Sequence, residues 1–159
     1  MAIERNSPTA HRTQERVSAR MARVRSKNTA PEMLVRRYLH GQGFRFKIHD
    51  STLPGTPDIV LPRFKTVVFI QGCFWHSHGE SCTVCSGAPK TNVDFWLDKL
   101  SRNIKGDRVA QTALGEAGWQ VLLVWGCELK RASRGATLHR LSVNILSAAE
   151  AEASSEFWV

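Results

Sequence analysis

A chain of 159 residues is long enough for one domain with a hydrophobic core and too short for two comfortable ones. With 42% hydrophobic and 23% charged residues, and with its longest apolar runs (67–70 and 121–125) only strand-sized, it is read neither as a disordered chain nor as a membrane-spanning one. The formal net charge of +8 favours a polyanionic partner, nucleic acid first, because Lys and Arg that meet phosphates release condensed counterions.

Residues 1–28 form a basic arm, since the first 29 residues carry seven Lys or Arg against two acids. Within it Val17, Met21 and Val24 recur at helical spacing among Arg16, Arg20, Arg23 and Arg25, the pattern of a short basic helix, and the segment reads as a DNA-embracing arm or a plain disordered tail. Early charge with no apolar core argues against a secretory signal, so the expected compartment is the cytosol. Thr29-Ala-Pro-Glu32 has the form of a capping box, with Pro31 in the first turn and Leu34, Val35, Tyr38 and Leu39 as the buried face of a helix that ends at Gly41 or Gly43. Phe44, Phe46 and Ile48 alternate with Arg45 and Lys47 and predict a strand with one wet face. Leu53-Pro-Gly-Thr-Pro-Asp58 is turn chemistry, followed by a short strand at 59–61, a turn, and a strand at 66–71 whose unbroken apolar character fits burial on both faces. A loop dense in Cys and His leads to a long helix with Asn92 as its N-cap, running to about Gly118. A last central strand at 119–125 and a helix at 137–151 complete a folded domain over 29–150, and 151–159 reads as a tail that is frayed or packed through Phe157 and Trp158. This order implies an α/β fold, a mixed central sheet with helices on its faces.

Cys73, Cys82, Cys85 and Cys127, with His78 nearby, are the most specific local signal. In a reducing compartment they point to a metal before disulfides, and Cys82-Thr-Val-Cys85 has a spacing that can chelate zinc. Cys127 ends a strand that a mixed sheet could place beside Cys73. Pro57-Asp58 at a turn-to-strand junction gives the opening half of a PD-(D/E)xK nuclease site, although the usual second acid and lysine are absent from Phe69-Ile-Gln71. His76, just past that strand, complements Asp58, since a carboxylate can hold Mg²⁺ while an imidazole moves a proton.

Leu53-Pro-Gly-Thr-Pro-Asp58, Gly72-Cys-Phe-Trp-His76, Pro89-Lys-Thr-Asn-Val-Asp-Phe-Trp96, Asn103, Asp107-Arg108 and Gly118-Trp-Gln-Val-Leu-Leu-Val-Trp125 together resemble the very-short-patch repair (Vsr) endonucleases, in the family's order and over roughly residues 16–130. The resemblance implies a PD-(D/E)xK restriction-endonuclease-like fold with a structural zinc, and Mg²⁺-dependent nicking of one strand 5′ to the thymine of a T:G mispair. Such mispairs arise when 5-methylcytosine deaminates, so a cytosine-5 methyltransferase is the implied functional associate. By the same resemblance Asp58 and the Ile70 carbonyl are expected at Mg²⁺, His76 as the catalytic histidine and Glu32 as an assisting acid. Asn103 and Asp107 are expected near the cleaved strand; with Trp96 they are spaced to share one helix face. Phe74, Trp75 and Trp96 match aromatics that wedge between bases beside the mismatch.

The chain departs from the pattern in two places. Ile70-Gln71 stands where some relatives carry Thr-His, and Gln71 can hydrogen-bond a phosphate or water but cannot replace an imidazole. The zinc loop is longer than usual; Cys73, His78, Cys82 and Cys127 are the favoured ligands, with Cys85 as a substitute. A monomer acting on double-stranded DNA is expected. A related nuclease that cuts matched DNA, or a non-catalytic zinc module that binds nucleic acid, is the alternative.

Overall fold

The computed structural model describes residues 27–79, 82 and 92–155. The contacts of the chain divide it into two units, Met1–Ala30 and Pro31–Val159, and the fold described is that of the second. The helix expected around residues 17–24, Cys85, Phe157 and Trp158 lie outside the described residues.

Helix α1 (Ala30–Gly41) is followed by β1 (Lys47–Ile48), β2 (Ile59–Leu61), a 3₁₀ turn (Pro62–Phe64), β3 (Thr66–Gln71), helix α2 (Val93–Glu116), β4 (Gln120–Trp125), a second 3₁₀ turn (Gly126–Leu129) and helix α3 (Arg134–Ser155). The strands form one sheet in the order β1-β2-β3-β4, antiparallel at the first two pairings and parallel between β3 and β4, so that among the described residues β4, expected as a central strand, lies at the edge, where Leu123 is exposed. A parallel neighbour requires a crossover, which α2 supplies.

Both faces of the sheet are covered. Val35 and Leu39 of α1 and Leu138, Leu141 and Ile145 of α3 pack with Ile59, Leu61, Val68 and Val124 on one side. On the other, Leu114 of α2 meets Val60 and Val67, with Phe69, Trp119 and Val121 around them. This double cover is why residues 67–70 read as an unbroken apolar run. Leu114 is fully buried, and Leu114→Ala is expected to cost about 2–5 kcal/mol. Urea unfolding monitored by circular dichroism measures that loss.

Three local expectations are corrected. The strand expected from Phe44 onward pairs only at Lys47–Ile48, where Lys47 faces Val60 and Ile48 faces Ile59. Continuing that register would oppose Arg45 to Pro62, which has no N–H to offer, so Phe44 turns into the core and meets the Phe64 ring edge-on at 5.3 Å. Asn92 precedes α2 but caps it with its backbone: it lies at φ 53°, its side chain makes no cap hydrogen bond, and its carbonyl accepts from Trp96 N at 3.1 Å. Side-chain capping needs an extended residue at that place. Helix α3 begins at Arg134, ahead of the expected Thr137, with the Ser133 carbonyl accepting from Thr137 N, and it continues past Ala151 to Ser155.

Gly55, in the turn before β2, is required by close approach. It has φ +73°, and a Cβ there would lie 2.7 Å from Ala110 Cβ of α2 and 3.3 Å from the Phe69 ring. The turn carrying Asp58 is thereby locked beneath α2.

Candidate active site and metal centre

Register explains how distant residues meet. Ile59 pairs with Val68, so the preceding Asp58 falls beside the end of β3, and its Oδ2 accepts a hydrogen bond from Ile70 N at 2.7 Å. Ile48 pairs with Ile59, which brings His49 to Asp58 as well, with His49 N donating to the Asp58 carbonyl at 3.4 Å. From α1, Glu32 enters the same pocket, 3% exposed. Its Oε2 lies 3.3 Å from His49 Nε2 and 2.8 Å from Arg36 Nη2 one turn along the helix. Glu32, His49 and Asp58 each offer a ligand atom within 4.8 Å of the others, a donor set that suits a divalent cation. Burial pushes the Asp58 carboxyl above the usual range and the Glu32 charge pushes it further; the Ile70 N–H, His49 and Arg36 pull it back. Two carboxylates in one pocket repel, and a cation between them relieves the repulsion.

The segment after β3 turns at once. Trp75 N and His76 N both donate to the Gly72 carbonyl, and His78 N donates to Cys73 O. His76 Nδ1 meets Asp107 Oδ2 of α2 at 2.5 Å, which leaves Nε2 as the nitrogen able to move a proton. Asn103, one turn earlier, donates from Nδ2 to the Trp75 carbonyl at 3.1 Å. Asn103 and Asp107 therefore hold the histidine-bearing turn. Gln71 is buried at the end of β3, paired in register with Trp125. Among the described residues its amide makes no hydrogen bond to Asp58 or His76.

The parallel pairing of β3 with β4 ends at Gln71 and Trp125, so Cys73 and Cys127, each two residues further on, emerge side by side. Cys127 N donates to Cys73 Sγ at 3.3 Å, and His78 Nδ1 lies 3.2 Å from Cys127 Sγ and 3.7 Å from Cys73 Sγ. With Cys82 the four ligand atoms lie within 4.8 Å of one another. Tetrahedral zinc with bonds of about 2.0–2.3 Å needs ligand atoms roughly 3.5–3.8 Å apart, so three sulfurs and one imidazole here fit that ion. Burial, together with the neighbouring Cys73 and Cys82 sulfurs, pushes the Cys127 thiol up to about 12. The His78 ring stacks on Trp125 at 4.0 Å and 10°.

Phe74, Trp75 and Trp96 form one aromatic cluster with ring centroids 5.1–5.9 Å apart, extended by Phe95, which is 57% exposed. Lys99 Nζ sits 5.2 Å from the Trp75 ring and 5.6 Å from that of Trp96. Sequence reasoning missed His49, Arg36, Phe95 and Lys99. For Arg36 a signal existed, since Glu32 and Arg36 stand one helical turn apart.

Acid groups gathered for a divalent cation, a carboxylate-held histidine and an excess of positive charge are the means by which a hydrolase breaks DNA phosphodiester bonds, and the chain is a nuclease of that class. Comparison with known proteins specifies which. Residues 10–83 match the family model described as DNA mismatch endonuclease Vsr. Type II nicking enzyme V.XorIIP of Xanthomonas oryzae is 49% identical over 109 residues, 69% of this chain and 78% of its own length. Type II nicking enzyme V.NmeAIP of Neisseria meningitidis is also 49% identical, over 69% of this chain and 76% of its length. DNA mismatch endonuclease Vsr of Escherichia coli is 40% identical over 71% of this chain and 70% of its length. The chain belongs to the Vsr family of PD-(D/E)xK nicking enzymes. Its mixed sheet flanked by helices and its Cys/His cluster are consistent with that fold. Among the described residues no helix is long and apolar enough to cross a membrane.

Proposed function

We propose that this nuclease nicks one strand of duplex DNA at a T:G mispair, with Mg²⁺ held at Asp58 and zinc held by Cys73, His78, Cys82 and Cys127. The observation that carries the reading is the joining of both halves of the site through one turn: the loop that presents Phe74 and Trp75 also presents His76, and α2 grips it through Asn103 and Asp107. Recognition and chemistry are then mechanically linked.

Mg²⁺, when bound, would neutralise the scissile phosphate and lower the barrier to in-line attack by water. Asp58 and Glu32 supply its carboxylates. The Ile70 carbonyl is on the Asp58 side of β3, because the N–H and C=O of one strand residue face the same neighbour and the N–H already binds Asp58. Asp107 fixes the His76 proton on Nδ1 and supports the imidazole as Nε2 takes or gives a proton. His76→Ala is expected to slow nicking by at least ~10²-fold, and Asp107→Asn to slow it through the wrong tautomer. Single-turnover rates at saturating enzyme check both.

The T:G specificity rests on the aromatics and on the mismatch activity named for the family and for the Escherichia coli relative. The two 49% identical relatives are named only as nicking enzymes, which favours the broader reading in which matched sites are nicked. Unstacking a base step costs a few kcal/mol, least where pairing is already poor, so rings that can enter the stack prefer a wobble pair. Lys99, whose ammonium lies over two of the rings, places a positive charge beside them that a backbone phosphate could meet. A cytosine-5 methyltransferase, whose product deaminates to thymine, would generate the substrate. The test compares Mg²⁺-dependent nicking of T:G and T:A duplexes of one sequence by the wild type and a Phe74→Ala/Trp75→Ala variant. Preference for T:G that collapses in the folded variant is the expected result. Equal nicking of both duplexes by the wild type would replace mismatch recognition by nicking of matched DNA.

A further inference from the structure

Beside the two carboxylates of the cation site, Asp58 and Glu32, stand His49 and Arg36. We propose that His49, with Arg36 behind it, is a positioning residue of the divalent-cation site, one that orients the Asp58 carboxylate without itself ligating the ion. This rests on the reading of Asp58 as the metal-holding carboxylate.

Hydrogen-bond polarity gives the first support. His49 Nε2 lies 2.8 Å from Arg36 Nη2 and 3.3 Å from Glu32 Oε2; a guanidinium only donates, and the shorter contact, with Nη2 donating to the imidazole and the carboxylate alike, assigns a lone pair to Nε2. The imidazole proton then resides on Nδ1, the nitrogen that faces Asp58 Oδ1 at 3.8 Å. With Nε2 occupied and Nδ1 protonated, the ring has no lone pair left for an ion. At 3.8 Å the Nδ1–H makes no direct hydrogen bond; a bridging water or a small rotation would complete it. Since Ile70 N holds Asp58 Oδ2 at 2.7 Å, the carboxylate is bounded at both oxygens, by backbone on one and imidazole on the other.

The backbone gives the second support. His49 has φ +47°, a left-handed conformation that is unfavourable for a residue with a Cβ and that clusters where function requires it. That turn carries the ring into the pocket, where only 13% of the side chain is exposed. Arg36 bridges from His49 to Glu32 with the same Nη2, at 2.8 Å in each case, so one buried cation fixes both the assisting acid and the imidazole that faces Asp58. Partners of this kind commonly change metal affinity by about 10–100-fold when removed.

The test uses Mn²⁺ as probe, with full-length wild type, His49→Ala and His49→Asn, each bound to a duplex. Asn tolerates the left-handed conformation, and its amide can accept from Arg36 and donate toward Asp58. Bound Mn²⁺ is quantified by electron paramagnetic resonance, and thermal melts report folding. The expected result is about a 10–100-fold weaker Mn²⁺ affinity for His49→Ala, substantial recovery in His49→Asn, and no directly bonded nitrogen from His49 in the pulsed spectrum of the wild type. Unchanged affinity in a folded His49→Ala overturns the proposal, as does a nitrogen coupling that this substitution abolishes. Failure of both variants to fold also overturns it, by making the role structural. A wild type whose Mn²⁺ binding depends on Asp58 but which leaves every duplex intact would defeat the nicking reading and not this one. Mn²⁺ binding that survives Asp58→Asn would defeat both.

Discussion

Asp58→Asn is expected to abolish nicking, by at least ~10³-fold, while DNA binding and folding persist. The neutral amide keeps an oxygen for the Ile70 N–H, which the carboxylate now holds at 2.7 Å, so the turn loses no backbone partner. Burial and the Glu32 charge already raise the Asp58 carboxyl, meaning that the fold disfavours its charged form. Removing that charge should leave the metal-free fold unharmed or slightly more stable. What disappears is the anionic ligand: losing a cation that stabilises the transition state by several kcal/mol corresponds to three or more decades in rate. Nicking rates and fluorescence anisotropy on one labelled duplex check both parts. Near-wild-type cleavage would remove Asp58 from the site.

Cys73→Ser is expected to have the largest effect on stability. Cys73 is 6% exposed, its sulfur accepts from Cys127 N, and it lies within ligand distance of His78. It thereby ties the end of β3 to the end of β4 at the base of the turn that carries His76. Zinc bound only by the folded chain contributes its binding free energy to folding, so its loss should lower Tm by about 10 °C or more. Metal analysis should give about one zinc per wild-type chain and almost none in Cys73→Ser, with a parallel change in Trp125 emission, since His78 stacks on that ring. Cys85→Ser is expected to keep its zinc. A wild-type protein free of zinc would refute the assignment, and indispensability of Cys85 would change the ligand set.

The sheet was legible because its strands carry continuous apolar runs, at residues 59–61, 67–70 and 121–125, that local pattern alone identifies; β2 and the start of β3 are buried throughout, while β4 buries only Val124. Helix α1 was legible from its periodicity, and the end of α2 from Gly118, which has φ +78°. The short span of β1 was not, because its pairing cannot run on past β2 to Pro62, which has no N–H and opens the 3₁₀ turn. Nor was the backbone capping by Asn92, whose composition suggests a side-chain cap while its conformation forbids one. In the site, Asp58, His76 and the four-member Cys/His set stand out by residue type. His49 does not, because its place beside Asp58 comes from register: it is one residue past Ile48, and only the pairing of Ile48 with Ile59 brings it there. The contacts of Asn103 and Asp107 with the turn at Trp75 and His76 likewise depend on where α2 crosses the sheet.

A closed circular duplex carrying a single T:G mispair offers the most direct measurement. Incubated with the wild-type protein and Mg²⁺, it is expected to become open circular and not linear, with the break in the thymine strand 5′ to the mispaired T; Asp58→Asn or removal of Mg²⁺ should leave it closed. Linear product, equal opening of the fully matched circle, or opening that persists without a divalent cation would contradict mismatch-directed, metal-dependent nicking.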